Sequence, residues 1–353
     1  MSTAKKADPA TLADFLSKPH TAAEIAKELK LPGLDEEKVR KLSLPASHAL
    51  FEQKDANYAS IFLAAPRESG KSIKPREWAL WVAGKEVPYL WIQFPMDLKV
   101  PRLKIVPLSD VHYGARAHSR RRFGEYLKWI EAQPDVYTFL NGDIIENAID
   151  GSIGGAVYES VLSPSEQIWG SYDGKEPGII ELLRPVAHKV LWAQPGNHEW
   201  RTWKKTNIDP LRIICRELGI PYFCEPVFAD VLAWGHRFTF HCHHGVSGSN
   251  TKGGKMNAAS KPAEYQEAVD FEIMGHVHDS MANPVTRIVR RREFNAKGEL
   301  IGFRLEERAQ YTVICPSFYG YFGSYGSRAG YAPGSWGSVS CTLYKGGEYR
   351  ASE

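Results

Sequence analysis

Five apolar runs in this chain each end in a short cluster of Asp, Asn and His, and that repetition constrains the fold more than any other feature. Leu103-Lys104-Ile105-Val106-Pro107-Leu108 leads to Ser109-Asp110-Val111-His112, and Val136-Tyr137-Thr138-Phe139-Leu140 leads to Asn141-Gly142-Asp143. Val190-Leu191-Trp192-Ala193 leads to Pro195-Gly196-Asn197-His198-Glu199. Arg237-Phe238-Thr239-Phe240 leads to His241-Cys242-His243-His244-Gly245, and Phe271-Glu272-Ile273-Met274 to Gly275-His276-Val277-His278. Short apolar-rich runs closed by glycine turns read as buried strands. Polar groups at the carboxyl ends of such strands are how an open α/β sheet presents its chemistry. One Gly-Asn-His-Glu is an ordinary polar turn; five such ends in succession are hard to explain as packing. Carboxylate and amide oxygens mixed with imidazole nitrogens suit Mn, Fe or Zn, and such shells support hydrolysis by two ions ~3.5–4 Å apart.

Between these runs the chain alternates to helix. Phe123, Leu127 and Ile130 share one helical face, Gly178–His188 reads as helical, and Asp209-Pro210-Leu211 opens a helix that Gly219 ends. The Gly- and Ser-rich stretch Gly151–Glu176 carries a capping box at Ser163-Pro164-Ser165-Glu166 and is expected to shape a substrate site rather than a core. After His278 the chain is β-rich, with a hairpin turn expected at Asn295-Ala296-Lys297-Gly298 and a Gly/Tyr/Ser loop from Tyr319 to Gly337.

Residues 1–98 form a separate small domain in this reading, with 99–353 as the second domain. Asp8-Pro9 and the capping box Thr21-Ala22-Ala23-Glu24 open two short helices, and Asp35–Leu42 is a third. Strands over Tyr58–Ala65 and Trp78–Ala83 are expected to form a hairpin around Gly70-Lys71, so the module resembles a winged helix-turn-helix. Its 14 basic and 13 acidic residues leave +1, a weak balance for binding DNA, and a packing or protein-contact role stays open. Pro88, Pro95 and Pro101 punctuate a Trp-rich connector. Net charge over all 353 residues is +3, too small to argue by itself for nucleic acid or a membrane surface. No apolar run is long enough for a membrane span, and the five cysteines form no CxxC pair; a soluble protein in a reducing cytoplasm is the expectation.

The five blocks D-x-H, G-D, G-N-H-E, H-G and G-H-x-H, in that order over about residues 103–345, resemble the calcineurin-like metallophosphoesterases. The resemblance implies an α/β two-sheet sandwich flanked by helices, here preceded by the small, mainly helical domain. It implies two divalent ions, Mn²⁺ first and Fe or Zn as alternatives. Asp110, His112, Asp143 and His278 would hold one, and Asp143, Asn197, His244 and His276 the other. His244 is preferred over His243 because the family's ligand directly precedes a glycine. His198 would protonate the leaving oxygen, with Glu146 as the acid that orients it. The family's protein phosphatases carry Arg four residues after the G-D aspartate; Asn147 stands there, and Arg201 is the candidate for holding a phosphate oxygen instead.

Arg116, Arg120, Arg121 and Arg122, with His118 among them, follow the first block. Arginines in a first helical turn oppose the helix dipole, so a basic rim for a polyanion is one reading and solvated charge the other. Arg290-Arg291-Arg292 is a second cluster, of which alternate members would face away on a strand. The expected activity is a phosphodiesterase or nuclease acting on nucleic acid. The alternatives are a phosphomonoesterase for small molecules or phosphoproteins, and a DNA-binding scaffold with a vestigial site, which five intact blocks disfavour.

Overall fold

The computed structural model describes residues 49–53, 60–64, 79–83, 89–94, 98–152, 160–295, 298–322, 324–328, 330, 333–334 and 338–353. The three helices expected before residue 43 lie outside them, as does the Gly70-Lys71 loop. The chain divides into two compact units: Met1–Arg102 with Phe223–Thr239 and Tyr344–Glu348, and Leu103–Tyr222 with Phe240–Leu343 and Tyr349–Glu353.

In the first unit, β1 (Ala49–Gln53) pairs antiparallel with β2 (Ser60–Ala64), and β3 (Ala79–Ala83) with β4 (Tyr89–Gln93). β4 in turn pairs parallel with β8 (Val227–Ala233). Among the described residues, the two strands expected to form a hairpin pair with β1 and β4, segments that sequence reading passed over. β4 lies within the Trp-rich connector and has a strand's alternation, with Leu90 and Ile92 buried and Trp91 between them exposed. Strand pairing is chosen by partners distant in sequence, and a local pattern does not name them.

The second unit is a mixed α/β arrangement of two sheets and helices. One sheet has the order β14-β13-β5-β6-β7, from β5 (Arg102–Leu108), β6 (Val136–Asn141), β7 (Val190–Gln194), β13 (Ser340–Tyr344) and β14 (Tyr349–Ser352). β5, β6 and β7 run parallel, so their carboxyl ends share one edge. In the other sheet β10 (Phe271–Met274) lies parallel to both β9 (His236–His243) and β12 (Leu300–Ile314), and β12 pairs antiparallel with β11 (Met281–Phe294) across the expected turn. Trp192 stacks on Phe139 at 4.4 Å and meets Phe240 edge-on at 6.4 Å, which joins the inner faces of the two sheets through aromatic rings.

Helices α1 (Arg120–Ala132), α2 (Pro164–Trp169) and α3 (Ile179–Leu183) precede β7, and α3 runs on into a 3-10 turn at Arg184–Lys189. α4 (Asn197–Thr206), α5 (Pro210–Leu218) and α6 (Lys252–Ser260) follow. α1 buries Phe123, Leu127 and Ile130 as its spacing requires, in one core with Leu211, Ile214 and Leu218 of α5. Both hydrogen bonds of the predicted capping box at Ser163 and Glu166 form, and Gly219 ends α5 in the left-handed region with φ of 65°. None of the five cysteines forms a disulfide, and four of them are buried. Among the described residues, no helix is long and apolar enough to cross a membrane.

Candidate metal centre

All five polar blocks lie in the second unit and converge. The loops after β5 and β6 are stitched together by backbone bonds, Asp110 N–H to Gly142 O at 3.1 Å and His112 N–H to Asp143 O at 2.9 Å. Close approach is possible because glycines stand at the contact. A Cβ on Gly142 would lie 2.5 Å from the amide nitrogen of Gly196, and one on Gly196 would lie 2.2 Å from Asp143 Oδ1. Asp110, His112, Asp143, His276 and His278 all hold positive φ, between 50° and 69°. Left-handed backbone in five non-glycine residues is costly and persists where the surroundings over-determine it, a pattern that clusters at functional sites.

Two groups of donors result. In the first, His278 Nε2 lies 3.2 Å from Asp110 Oδ1 and 3.1 Å from His112 Nε2. In the second, His244 Nε2 lies 3.1 Å from both Asp143 Oδ2 and Asn197 Oδ1, and His276 Nδ1 lies 2.8 Å from Asn197 Oδ1. Asp143 stands between them, its Oδ2 also 3.9 Å from His112 Nε2. The other ring nitrogens are spoken for: His112 Nδ1 bonds Glu146 Oε2 at 2.9 Å, and His244 Nδ1 donates to Asn141 O at 2.8 Å. That leaves Nε2 of His112 and of His244 facing inward, the way metal-binding histidines are oriented. Inward-facing nitrogens and carboxylate oxygens with no apolar filler between them fit divalent cations. The site's negative potential is large. Burial pulls His244 down, yet the Asp143 charge and hydrogen bond, with Asp110, push it up to about 10. Burial opposes ionisation of Asp110, and His278 nonetheless brings it down to about 2.

His243 points elsewhere: its Nε2 is 3.6 Å from Glu272 Oε1, on the face of β9 that also carries His241. His198 sits beside the first group, its ring 4.4 Å from that of His112 and its Nε2 3.7 Å from Asp143 Oδ2. Its backbone N–H donates to Asp143 Oδ1 at 2.9 Å, its Nδ1 donates to the Glu146 carbonyl at 2.7 Å, and Arg201 Nη2 lies 2.7 Å from its Nε2. Burial holds this imidazole down at about 4, against the pull of Asp143. Glu146 therefore reaches His198 mainly through its backbone carbonyl, while its carboxylate bonds His112 and stays 3.5 Å from His198 Nδ1. Arg201 also donates to the Glu146 carbonyl at 3.0 Å.

Three residues to which sequence reading assigned no role in the site support this arrangement. Glu199 accepts from the backbone N–H of Gly196, Asp143, Ile144 and Ile145 at 2.8–3.3 Å, pinning the Asp143 loop to the start of α4. Asn147, which stands where a protein phosphatase has arginine, is buried and donates to His198 O at 2.6 Å, so it buttresses α4. The Tyr319 ring lies 4.8 Å from that of His112 and 5.7 Å from that of His278. Its only sequence signal is an aromatic in a glycine-rich loop. Of the basic residues, Arg120 pairs with Glu176 and Arg121 with Glu125 at 2.8 Å; Arg116 is exposed and Arg122 partly so.

An α/β sandwich with His, Asp and Asn donors gathered at its strand ends is the framework of a metal-dependent hydrolase. The family model for calcineurin-like phosphoesterases matches residues 103–280, just over half of the chain, and the chain belongs to that family. Solved structures similar to it include the calcineurin-like phosphoesterase YfkN from Bacillus subtilis, at 15% identity over 71% of this chain and 90% of that one, with a TM-score of 0.36. Vacuolar Protein Sorting 29 from Cryptosporidium parvum is similar at 12% identity over 72% of this chain and 97% of that one, with a TM-score of 0.31. No curated protein matches the sequence at a significant level. Family and site together define a metal-dependent phosphoester hydrolase.

Proposed function

We propose that the protein is a two-metal phosphodiesterase or nuclease acting on nucleic acid. The observation that carries the reading is Asp143, whose carboxylate lies between two donor groups while accepting the His198 N–H. Asp110, His112, Asp143 and His278 would hold one cation, and Asp143, Asn197, His244 and His276 the other. The chemistry such cations supply is Lewis-acid stabilisation of charge on the phosphoryl oxygens and a competent water nucleophile near neutral pH. The residues supply the rest. Asp143, held through its amide and through Glu199, fixes the two groups relative to each other. His198, held at Nδ1 by the Glu146 carbonyl, presents Nε2 as the position from which a proton reaches the leaving oxygen. Arg201 donates to that nitrogen in the neutral ring, and a substrate phosphate that draws its guanidinium away leaves Nε2 to take up the proton it then passes to the leaving oxygen.

Asn147 favours a diesterase over a protein phosphatase, because the usual phosphate-holding arginine is replaced by a buried amide bonded to α4. The test is a substrate panel with Mn²⁺: single- and double-stranded DNA, RNA, cyclic nucleotides, and p-nitrophenyl mono- and diesters. Preference for polynucleotides supports the reading, and preference for monoesters overturns it in favour of a phosphatase. Arg116, Arg120, Arg121 and Arg122 belong to the same test. Replacing three of them with Gln should flatten the salt dependence of DNA binding by roughly one unit per lost phosphate contact. An unchanged slope assigns them to local ion pairing such as Arg120–Glu176.

A further inference from the structure

Helix α4 is built the opposite way to a packing helix. Its one buried residue is Glu199, whereas Trp203 is 42% exposed and Lys204, Lys205 and Thr206 are exposed beside it. A surface helix ordinarily turns its apolar side chains inward and its charges outward. α5, next in the chain, does so with Leu211, Ile214 and Leu218. In α4 the acid is turned inward onto four backbone N–H groups, so it contributes nothing to the outer face. Outside remain Trp203, braced edge-on at 4.6 Å by the half-buried Trp200, and the cations Lys204 and Lys205, while Arg201 turns inward onto His198. Among the described residues, Asp150 meets this face through its backbone carbonyl, which accepts from Lys205 Nζ at 2.7 Å.

The same helix begins with Asn197 and His198. Six residues at ~1.5 Å and ~100° each put Trp203 about 9 Å along the axis from Asn197 and roughly 120° round the helix from it, a span that a strand of a few nucleotides covers. We infer that the outer face of α4 is a docking track for single-stranded nucleic acid. On it, Trp203 stacks a base while Lys204 and Lys205 hold adjoining phosphates and lead the strand toward His198. An aromatic face flanked by cations is how sequence-tolerant single-strand binding is built, and only an unpaired base can lie flat on the ring. The inference rests on the nucleic-acid reading above and adds to it which strand form binds, and where.

The test uses the full chain with Trp203→Ala/Lys204→Gln/Lys205→Gln, all exposed positions, with the thermal midpoint confirming that the fold is kept. Substrates are single strands of roughly 4 and roughly 12 nucleotides, bracketing the length that such a track covers, the matching duplex, and bis(p-nitrophenyl) phosphate. For the wild type, KM should fall with strand length, and single strand should be preferred to duplex. In the triple variant KM for the longer strand should rise about 10-fold or more. Its salt slope should flatten by about 1.4, two contacts at ~0.7 each. Trp203→Phe should keep most of the stacking and lie near the wild type. If the longer strand is cut but the triple variant keeps the wild-type KM and slope, the track is wrong and the nucleic-acid reading stands. Equal use of duplex and single strand by the wild type also overturns it. A wild type that hydrolyses only the small diester overturns both.

Discussion

His118 should make the fold lose stability in mild acid, and the size of the effect follows from its surroundings. Its Nδ1 donates to Val111 O at 2.7 Å, while its Nε2 is buried with no hydrogen-bond partner. The ring sits between Tyr113 and Phe123, with centroids at 5.4 and 5.6 Å. A proton on Nε2 would be stranded among aromatic rings, and this burial, which outweighs the favourable Val111 bond, lowers the pKa from 6.5 to about 4. Between those values the unfolded chain binds the proton and the folded one does not, so stability falls as pH drops through the window and is flat below it. At 1.36 kcal/mol per unit, the loss is about 3 kcal/mol. That is a large share of a typical ~5–15 kcal/mol. His118→Asn keeps a donor for Val111 O and removes the titration. Urea unfolding of both proteins at intervals from pH 7 to pH 4 isolates the His118 contribution as the difference between their slopes, because other groups cancel. The wild type should lose about 3 kcal/mol more than the variant over that range. Parallel curves, or a His118 ring resonance titrating near 6.5, would refute the argument.

Asp143→Asn should weaken both cation positions together, since its carboxylate faces both donor groups; metal content and calorimetric Mn²⁺ titration should show both sites affected, not one. His198→Ala should retain its metal while losing rate by on the order of 10²–10⁴-fold, with a smaller loss on p-nitrophenyl esters, whose leaving group needs little protonation. An equal loss across leaving groups would assign His198 a binding role. Glu199→Leu should destabilise the second unit. It strands four buried N–H groups at about 1–3 kcal/mol each. Against that stands relief of roughly 3 kcal/mol from removing an acid that burial and Asp143 push up to about 7. Urea unfolding at pH 8 should show a net loss of several kcal/mol, and a variant as stable as the parent would mean that the loop relaxes to solvent.

What the sequence determined by itself is what short-range chemistry encodes. Apolar runs closed by glycine and polar residues marked β5, β6, β7, β9 and β10 and the order of the five blocks. The spacing of Phe123, Leu127 and Ile130 marked α1, and Ser163 with Glu166 marked a helix start. These signals are local, because a strand's alternation or a cap's hydrogen bond involves residues only a few positions apart. Asn197 as the start of a helix was not legible, since Gly196 offers no side-chain cap; the helix is held by Glu199 reaching back to the Asp143 loop, 56 residues earlier in the chain. The choice among His241, His243 and His244 was also tertiary. All three lie at the end of the same strand, and only the approach of Asp143 and Asn197 from the other sheet separates His244 from the two that face Glu272. The same holds for Arg120 and Arg121, a basic cluster in sequence and a set of ion pairs in the fold. Which groups a side chain meets depends on packing between segments far apart in the chain, and no window of sequence contains both partners.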